Sequence, residues 1–308
     1  MARAVSEAQS GARRIRAPGF ALALPAWVWF IFFFLIPVGF IGYYSLGYKP
    51  SIFSSIATDR LSFDRYGDAF QPLFFKVFVG TLRISMVGTL LCLLIGFPFA
   101  YWLATRVSSR WKGILLGLCI VPFWTNFLIR TIGWRIILAP EGPFSNALND
   151  IGLGLPIQLY TRAAVQLGVV YNYLPLMIFP LFVALERLDP ALREASKDLG
   201  AGRFRTFRQV TLPLASPGII AGLLLVFIPL TGDYITPLVL GGAKGNMVGK
   251  QIASEFLTAN DWAQGSALAI LLIVMILATV GVMALIGLGI RSILRARRRF
   301  AMPEVMTA

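Results

Sequence analysis

The chain has 308 residues, of which 57% are hydrophobic and only 14% charged; soluble domains run at roughly 45–50% apolar, so this balance, with a mean hydropathy of +0.75, makes it an integral membrane protein. The formal charge of +14 sits in short tails and loops beside apolar stretches, with no basic domain or stacking platform, which argues against nucleic-acid binding. The absence of histidine removes the commonest general base and metal ligand.

A helix needs about 20 residues to cross a hydrocarbon core about 30 Å thick. Stretches free of Asp, Glu, Lys and Arg predict six transmembrane helices, giving an all-α fold. The first, Gly19–Tyr48, follows Arg13, Arg14 and Arg16 as a signal peptide would. It exceeds the usual apolar core of about 7–15 residues and no small-residue cleavage pattern follows, so it is expected to be an uncleaved anchor. The second and third, Ile84–Thr105 and Gly113–Ile129, contain the two cysteines, Cys92 and Cys119. Neither has a disulfide or metal partner in prospect, and both read as small packing residues. Ala163–Leu185, Gln209–Gly232 and Trp262–Ile290 complete the set. The small-residue pairs Gly113 with Gly117 and Gly218 with Gly222 predict close helix approach.

The loops set the orientation. One side holds the basic tail Arg3, Arg13, Arg14 and Arg16, then Arg106, Arg110 and Lys112, then Arg187, Arg193, Lys197, Arg203, Arg205 and Arg208, then the C-terminal arginines. The other side holds fewer: Lys49, Arg60, Arg65, Lys76, Arg162, Lys244 and Lys250. The positive-inside rule therefore places both termini in the cytoplasm. The run Arg295-Ala296-Arg297-Arg298-Arg299 reads as a topology anchor against anionic lipid. The expected division is a basic tail over 1–18, a membrane domain over 19–292 and a second basic tail over 293–308.

Catalytic motifs are lacking. Gly241 to Lys250 superficially matches a phosphate loop, but Lys244 stands five before Gly249, and Lys250 is followed by Gln251 where Ser or Thr is required. The chain shows no ATP site of its own, no Gly-x-Ser-x-Gly elbow, no zinc signature and no carboxylate pair on one helical face.

The loop between the fourth and fifth spans is polar. Asp189 suits an N-cap and Pro190 the first helical position, where a missing N–H costs nothing. Leu192, Ala195 and Leu199 share one face, with Arg193, Lys197 and Asp198 elsewhere. Gly200 suits the left-handed residue that ends a helix. A second short helix is expected to carry Phe204, Phe207 and Val210, with Arg203, Arg205 and Arg208 on its polar side, and Pro213 to mark the handover to span five. Local physics alone allows an amphipathic connector on the membrane surface.

The spacing carries more. Glu194-Ala195-Ser196, three residues, Gly200, nine residues, then Val210-x-Leu212-Pro213 resembles the Glu-Ala-Ala signature loop of permease subunits of binding-protein-dependent ABC importers. Ser196 for Ala and Val210 for Ile are its departures. Six spans and a cytoplasmic N-terminus match the MetI-like type I importer plan. Val121-Pro122-Phe123-Trp124-Thr125-Asn126-Phe127-Leu128-Ile129-Arg130-Thr131, Gly168 to Pro175 and Ile228 to Pro237 resemble its spermidine/putrescine branch.

The resemblance implies a bacterial inner-membrane importer of two permeases, two cytoplasmic ABC ATPase subunits and a periplasmic solute-binding protein, with no cofactor in this chain. Glu194, Ala195, Ser196 and Gly200 would seat the loop in the ATPase, with Leu192 and Leu199 as apolar contacts, Arg203 or Arg205 as rim charge, and Val210, Leu212 and Pro213 closing the motif. Polyamine is the favoured solute; thiamine, ferric iron, phosphonate or an amino-acid derivative are alternatives. A secondary transporter would be expected to show inverted repeats and midplane carboxylates, which are not evident. A membrane anchor or sensor would be expected to append a soluble domain, and no segment is long enough for one.

An ionisable residue at membrane depth is costly and marks a candidate site. Asp233 suits a cationic solute, with Tyr234 adding a cation–π contact of about 0.5–2 kcal/mol; the alternative is that Asp233 pairs with Arg130 or Arg135. Trp124, Asn126, Tyr171, Asn172 and Tyr173 are candidate lining groups, or members of an interfacial belt. Arg83, Arg130 and Arg135 either oppose a cation or snorkel to the outer edge. The outer loops from Ser51 to Lys76 and from Glu141 to Arg162 are the expected docking surface for the binding protein.

Overall fold

Proline placement explains much of the helix geometry in the computed structural model, which describes residues 19–152 and 157–300. The basic tail over 1–18 and residues 301–308 lie outside the described residues. Helix α1 begins as Gly19–Phe30, widens into a π-helical turn over Ile31–Leu35 and ends as Ile36–Tyr44. The turn closes with the Ile36 N–H donating to the Ile31 carbonyl, one residue before Pro37. An interior proline lacks its own donor and clashes with the carbonyl four residues back, and the wider turn moves that carbonyl away. Trp29, Phe32 and Phe33 of α1 are exposed. In a bilayer that is their solvated state, because lipid tails are as apolar as the rings.

After the short helix α2, Asp64–Ala69, the chain enters α3, Pro72–Arg106, which has 35 residues. Its length is about 52 Å at about 1.5 Å per residue, well beyond the hydrocarbon core. The predicted start at Ile84 is corrected to Pro72: Lys76 and Arg83 mark the level where the helix leaves the apolar layer, not where it begins. The predicted outer loop from Ser51 to Lys76 is accordingly partly helical.

The third predicted span is two helices, α4 (Ser109–Trp124) and α5 (Phe127–Ile137), bent by 89°. The break follows from local chemistry. Pro122 leaves α4 without a ladder bond, Thr125 turns its N–H and Oγ1 onto the Pro122 carbonyl, and Asn126 Oδ1 accepts from Leu128 N at 2.8 Å to start the next helix. With the pair taken as one span, the described residues hold six apolar segments able to cross a bilayer.

The remaining helices are α6 (Pro143–Asp150), α7 (Arg162–Glu186), α8 (Pro190–Asp198), α9 (Arg203–Thr231), α10 (Val248–Leu257) and α11 (Trp262–Phe300). The first residues assigned to the C-terminal tail thus continue the α11 helix. Helices α3, α7 and α9 form the core, burying Cys92, Leu103, Val169, Met177, Leu181, Ala215, Val226 and Leu230. Helix α11 packs on the end of α1, with Trp262 and Tyr44 6.4 Å apart.

Gly218 and Gly222 behave as predicted. A Cβ on Gly218 would run into the Ala184 Cβ and the Pro180 carbonyl, and one on Gly222 would meet Met177 Sδ. Gly113 and Gly117 do not: the space beside each is open, so within this chain they bring no helices together.

Candidate functional site

The polar elbow joins α7 to α9 at the Arg106 end of α3. Asp189 Oδ1 accepts from Ala191 N at 2.9 Å, and Pro190 occupies the first turn of α8, as the sequence predicts. At the other end Gly200 adopts φ +79°, with its N–H on the Lys197 carbonyl at 2.8 Å and the Ala201 N–H on the Ser196 carbonyl at 3.1 Å. These two bonds satisfy carbonyls that the end of α8 would otherwise leave open.

Ser196 earns its hydroxyl. Its Oγ lies 3.1 Å from Thr206 Oγ1, which is buried, so the departure from alanine clamps α8 to the start of α9.

The predicted second elbow helix is not separate. Residues Arg203–Thr206 pass through a π turn, Phe207–Thr211, straight into Leu212–Thr231. The turn closes with Leu212 N–H on the Phe207 carbonyl, one residue before Pro213, by the same accommodation seen before Pro37. Pro213 is therefore an interior residue of a 29-residue helix that runs unbroken from the elbow into span five. Phe204 and Phe207 also part company. Phe207 packs edge-on against Phe97 at 5.8 Å and Tyr101 at 6.0 Å of α3, while Phe204 is 74% exposed.

The apolar face of α8 looks away from its own chain. Leu192 is 47% and Leu199 88% exposed, and Ala195 is exposed beside them. Behind the elbow, a cleft of about 740 Å³ is lined by Arg106, Arg193, Glu194, Lys197 and Arg203 together with Tyr101 and Phe207. Phe97, Tyr101 and Thr206 are contributors that sequence reasoning missed. The aromatic pair four apart before Arg106 was a visible signal, but nothing in it named Phe207 as its partner.

The candidate path residues divide. Asn172 is fully buried, donating through Nδ2 to Thr131 Oγ1 at 3.2 Å, and its Oδ1 has no partner. Arg130 lies over the rings of Phe123 and Phe127 at 5.4 and 5.6 Å, with Nε and Nη1 buried and unpartnered. Tyr173, next to Asn172, donates to the Pro229 carbonyl at 3.4 Å. Trp124 is 87% exposed, Tyr234 is exposed, and Asn126 is occupied as the cap of α5.

Asp233 is buried, but it does not pair with Arg130 or Arg135 among the described residues. Its Oδ1 accepts from Ile235 N at 2.9 Å and Thr236 N at 3.1 Å, and its Oδ2 from Thr236 Oγ1. The carboxylate caps the segment that leads into the π-helical turn Pro237–Gly241. Asp233→Ala is expected to cost about 1–2 kcal/mol, the usual loss for a cap, read as a lower melting midpoint in detergent. An unchanged midpoint would show that the cap carries no stability.

Residues 96–298 match the family model described as "Binding-protein-dependent transport system inner membrane component". The chain is 42% identical over 244 residues to the spermidine/putrescine transport system permease protein PotB of Haemophilus influenzae, covering 79% of this chain and 84% of that protein. It is 42% identical over 211 residues to PotB of Escherichia coli (strain K12), covering 68% and 76%. Among solved structures, a bacterial alginate ABC transporter in complex with alginate pentasaccharide-bound periplasmic protein aligns with TM-score 0.63 at 18% identity, over 84% of this chain and 91% of that one.

Proposed function

Since the chain belongs to the family of binding-protein-dependent transport system inner membrane components, we propose that this multi-pass permease subunit forms half of an ATP-driven import path for a polyamine, spermidine or putrescine. The carrying observation is the elbow: an apolar face of Leu192, Ala195 and Leu199 turned outward on a lever continuous with span five. The polyamine reading is supported by the 42% identity to permeases named for that solute.

In this reading two cytoplasmic ABC ATPase subunits grip α8 through Leu192, Leu199 and Glu194, with Arg203 at the rim. ATP binding and hydrolysis belong to them. Closure of the ATPase pair shifts α8; the Ser196–Thr206 contact and the unbroken helix through Phe207–Thr211 pass that shift to α9. Because α9 packs tightly on α7 at Gly218, the two helices tilt together and open the path toward one side or the other. A second permease supplies the other half of the path, and a periplasmic binding protein delivers the solute. In this reading both termini are cytoplasmic, with basic segments over 1–18 and 293–308 flanking a permease domain over 19–292.

For the path itself, the buried Asn172 Oδ1 is an acceptor suited to an ammonium N–H. Tyr234 and Trp124, both exposed, offer faces for cation–π contact, and the charge of Asp233 favours a cation although its oxygens are engaged in capping. Arg130, held over two rings, sets a positive limit beside that route.

The test is the purified permease pair with its ATPase subunits in nanodiscs, supplied with the cognate binding protein. Spermidine or putrescine is expected to raise ATPase activity several-fold. Stimulation by thiamine, ferric iron or a phosphonate in their place would assign another solute.

A further inference from the structure

The end of α3 opposite the elbow carries an uncompensated cationic cleft. One part, about 600 Å³, is lined by Lys76, Thr161, Arg162, Ala163, Ala243 and Lys244. A second, about 270 Å³, is lined by Arg83 and Gln166 and shares Arg162 and Ala163 with the first, so the two adjoin. Neither is lined by an Asp or Glu, and Lys76, Arg83, Arg162 and Lys244 take part in no ion pair among the described residues. All four are exposed. Arg162 Nε donates to the Lys244 carbonyl at 3.1 Å, which holds two of the cationic residues side by side. Gln166 Nε2 is buried without an acceptor.

The level of the cleft favours a water-soluble partner over lipid. Measured along α3 from Arg106, Arg83 lies about 35 Å away and Lys76 about 45 Å, at about 1.5 Å per residue. The bilayer with its headgroups spans about 40–45 Å, so the wider part of the cleft opens at or beyond the headgroup boundary. Four like charges on this face would repel a free polycation. They are tolerable where the solute arrives inside a carrier whose carboxylates face them. A protein that holds a polycation must do so with carboxylates, and the rim of its cleft is therefore acidic.

We propose that this cleft is the docking site for the acidic rim of the soluble solute-binding protein, with Lys76, Arg83, Arg162 and Lys244 receiving its carboxylates. The acidic character of that partner rests on the polyamine reading; the anion-binding character of the cleft does not. Charge pairs at such a rim govern encounter and salt dependence more than the final tightness of a complex.

The test uses the full chain in phosphatidylcholine nanodiscs with fluorescent decaglutamate as the probe. Decaglutamate is expected to bind, to weaken steeply as NaCl rises, and to lose at least about tenfold in affinity in the Lys76→Gln, Arg83→Gln, Lys244→Gln triple variant. These long exposed side chains can be neutralised without disturbing the core. Equal binding by the triple variant and the parent overturns the proposal. So does displacement of decaglutamate from the phosphatidylcholine nanodiscs by glycerophosphoglycerol, the free headgroup, because headgroups would then be the natural occupants. In the assembled importer, the half-saturating concentration of loaded binding protein should rise about tenfold in the triple variant with basal ATPase unchanged; an unchanged value also overturns the proposal. If another solute replaces polyamine, the decaglutamate result still stands or falls by itself.

Discussion

Gly200→Val is expected to reduce ATP-driven uptake to near background while the protein still inserts and accumulates. A Cβ at Gly200 would meet nothing within 4 Å, so crowding is not the cause. The cause is φ +79°, a conformation that costs an L-residue about 1–2 kcal/mol and a β-branched one more. That strain is small beside the stability of a six-span protein but large beside what holds one exposed helix end. The Gly200 and Ala201 bonds to the Lys197 and Ser196 carbonyls would open, the end of α8 would reorient, and Leu199 would be displaced from its outward-facing position. Uptake and ATPase activity measured together in one preparation decide it: ATP turnover persists while coupling to uptake is lost. Gly200→Asn supplies the control, since asparagine tolerates the left-handed region and should retain most transport. Full coupled uptake in Gly200→Val would remove the elbow from the mechanism.

Gly218→Val is expected to fail one step earlier, in assembly of the transmembrane core. Here the backbone is ordinary α-helix and the space is absent. The new side chain would collide with the Ala184 Cβ and the Pro180 carbonyl on α7, and a backbone carbonyl cannot rotate away as a flexible side chain can. Overpacking of this kind costs about 1–3 kcal/mol when the surroundings can shift, and separating α7 from α9 also loosens the contact between two core helices. Membrane accumulation and the detergent melting midpoint should both fall, and Gly218→Ala should fall less. Gly222→Ala is milder still, because its nearest obstacle is the Met177 sulfur, the movable end of a side chain. Gly113→Val, with nothing within 4 Å in this chain, should leave the melting midpoint unchanged.

These glycines show where sequence reading reached and where it stopped. Gly200 was legible because the local signals agree: a cap at Asp189, proline at the first turn, apolar positions at helical spacing, then glycine where a helix must end. Gly218 and Gly113 stand in equivalent small-residue patterns, and only the packing tells them apart, since a pattern states that approach is possible and not which helix approaches. The second elbow helix was misread for a related reason. Pro213 looks like a boundary because a proline usually ends or kinks a helix, but a π turn absorbs it, and a π turn depends on backbone geometry that composition does not encode. The candidate path suffered most. Asp233 was picked out as a costly charge at membrane depth; it accepts from two backbone N–H groups and the Thr236 hydroxyl within three residues, with the Tyr173 hydroxyl of α7 also in reach, and choosing between that arrangement and a distant arginine required coordinates.

The sequence by itself determined the class, the six apolar segments and the polar elbow, because hydrophobic runs and helix-end chemistry act over a few neighbouring residues. The tertiary structure decided that the third segment is broken by 89°, that the second part of the elbow and span five are one helix, that Leu192 and Leu199 face outward, and that four cationic residues from α3, α7 and the loop before α10 line two adjoining clefts. Each of those depends on which surfaces meet across dozens of residues, and side-chain spacing along a chain carries no record of that.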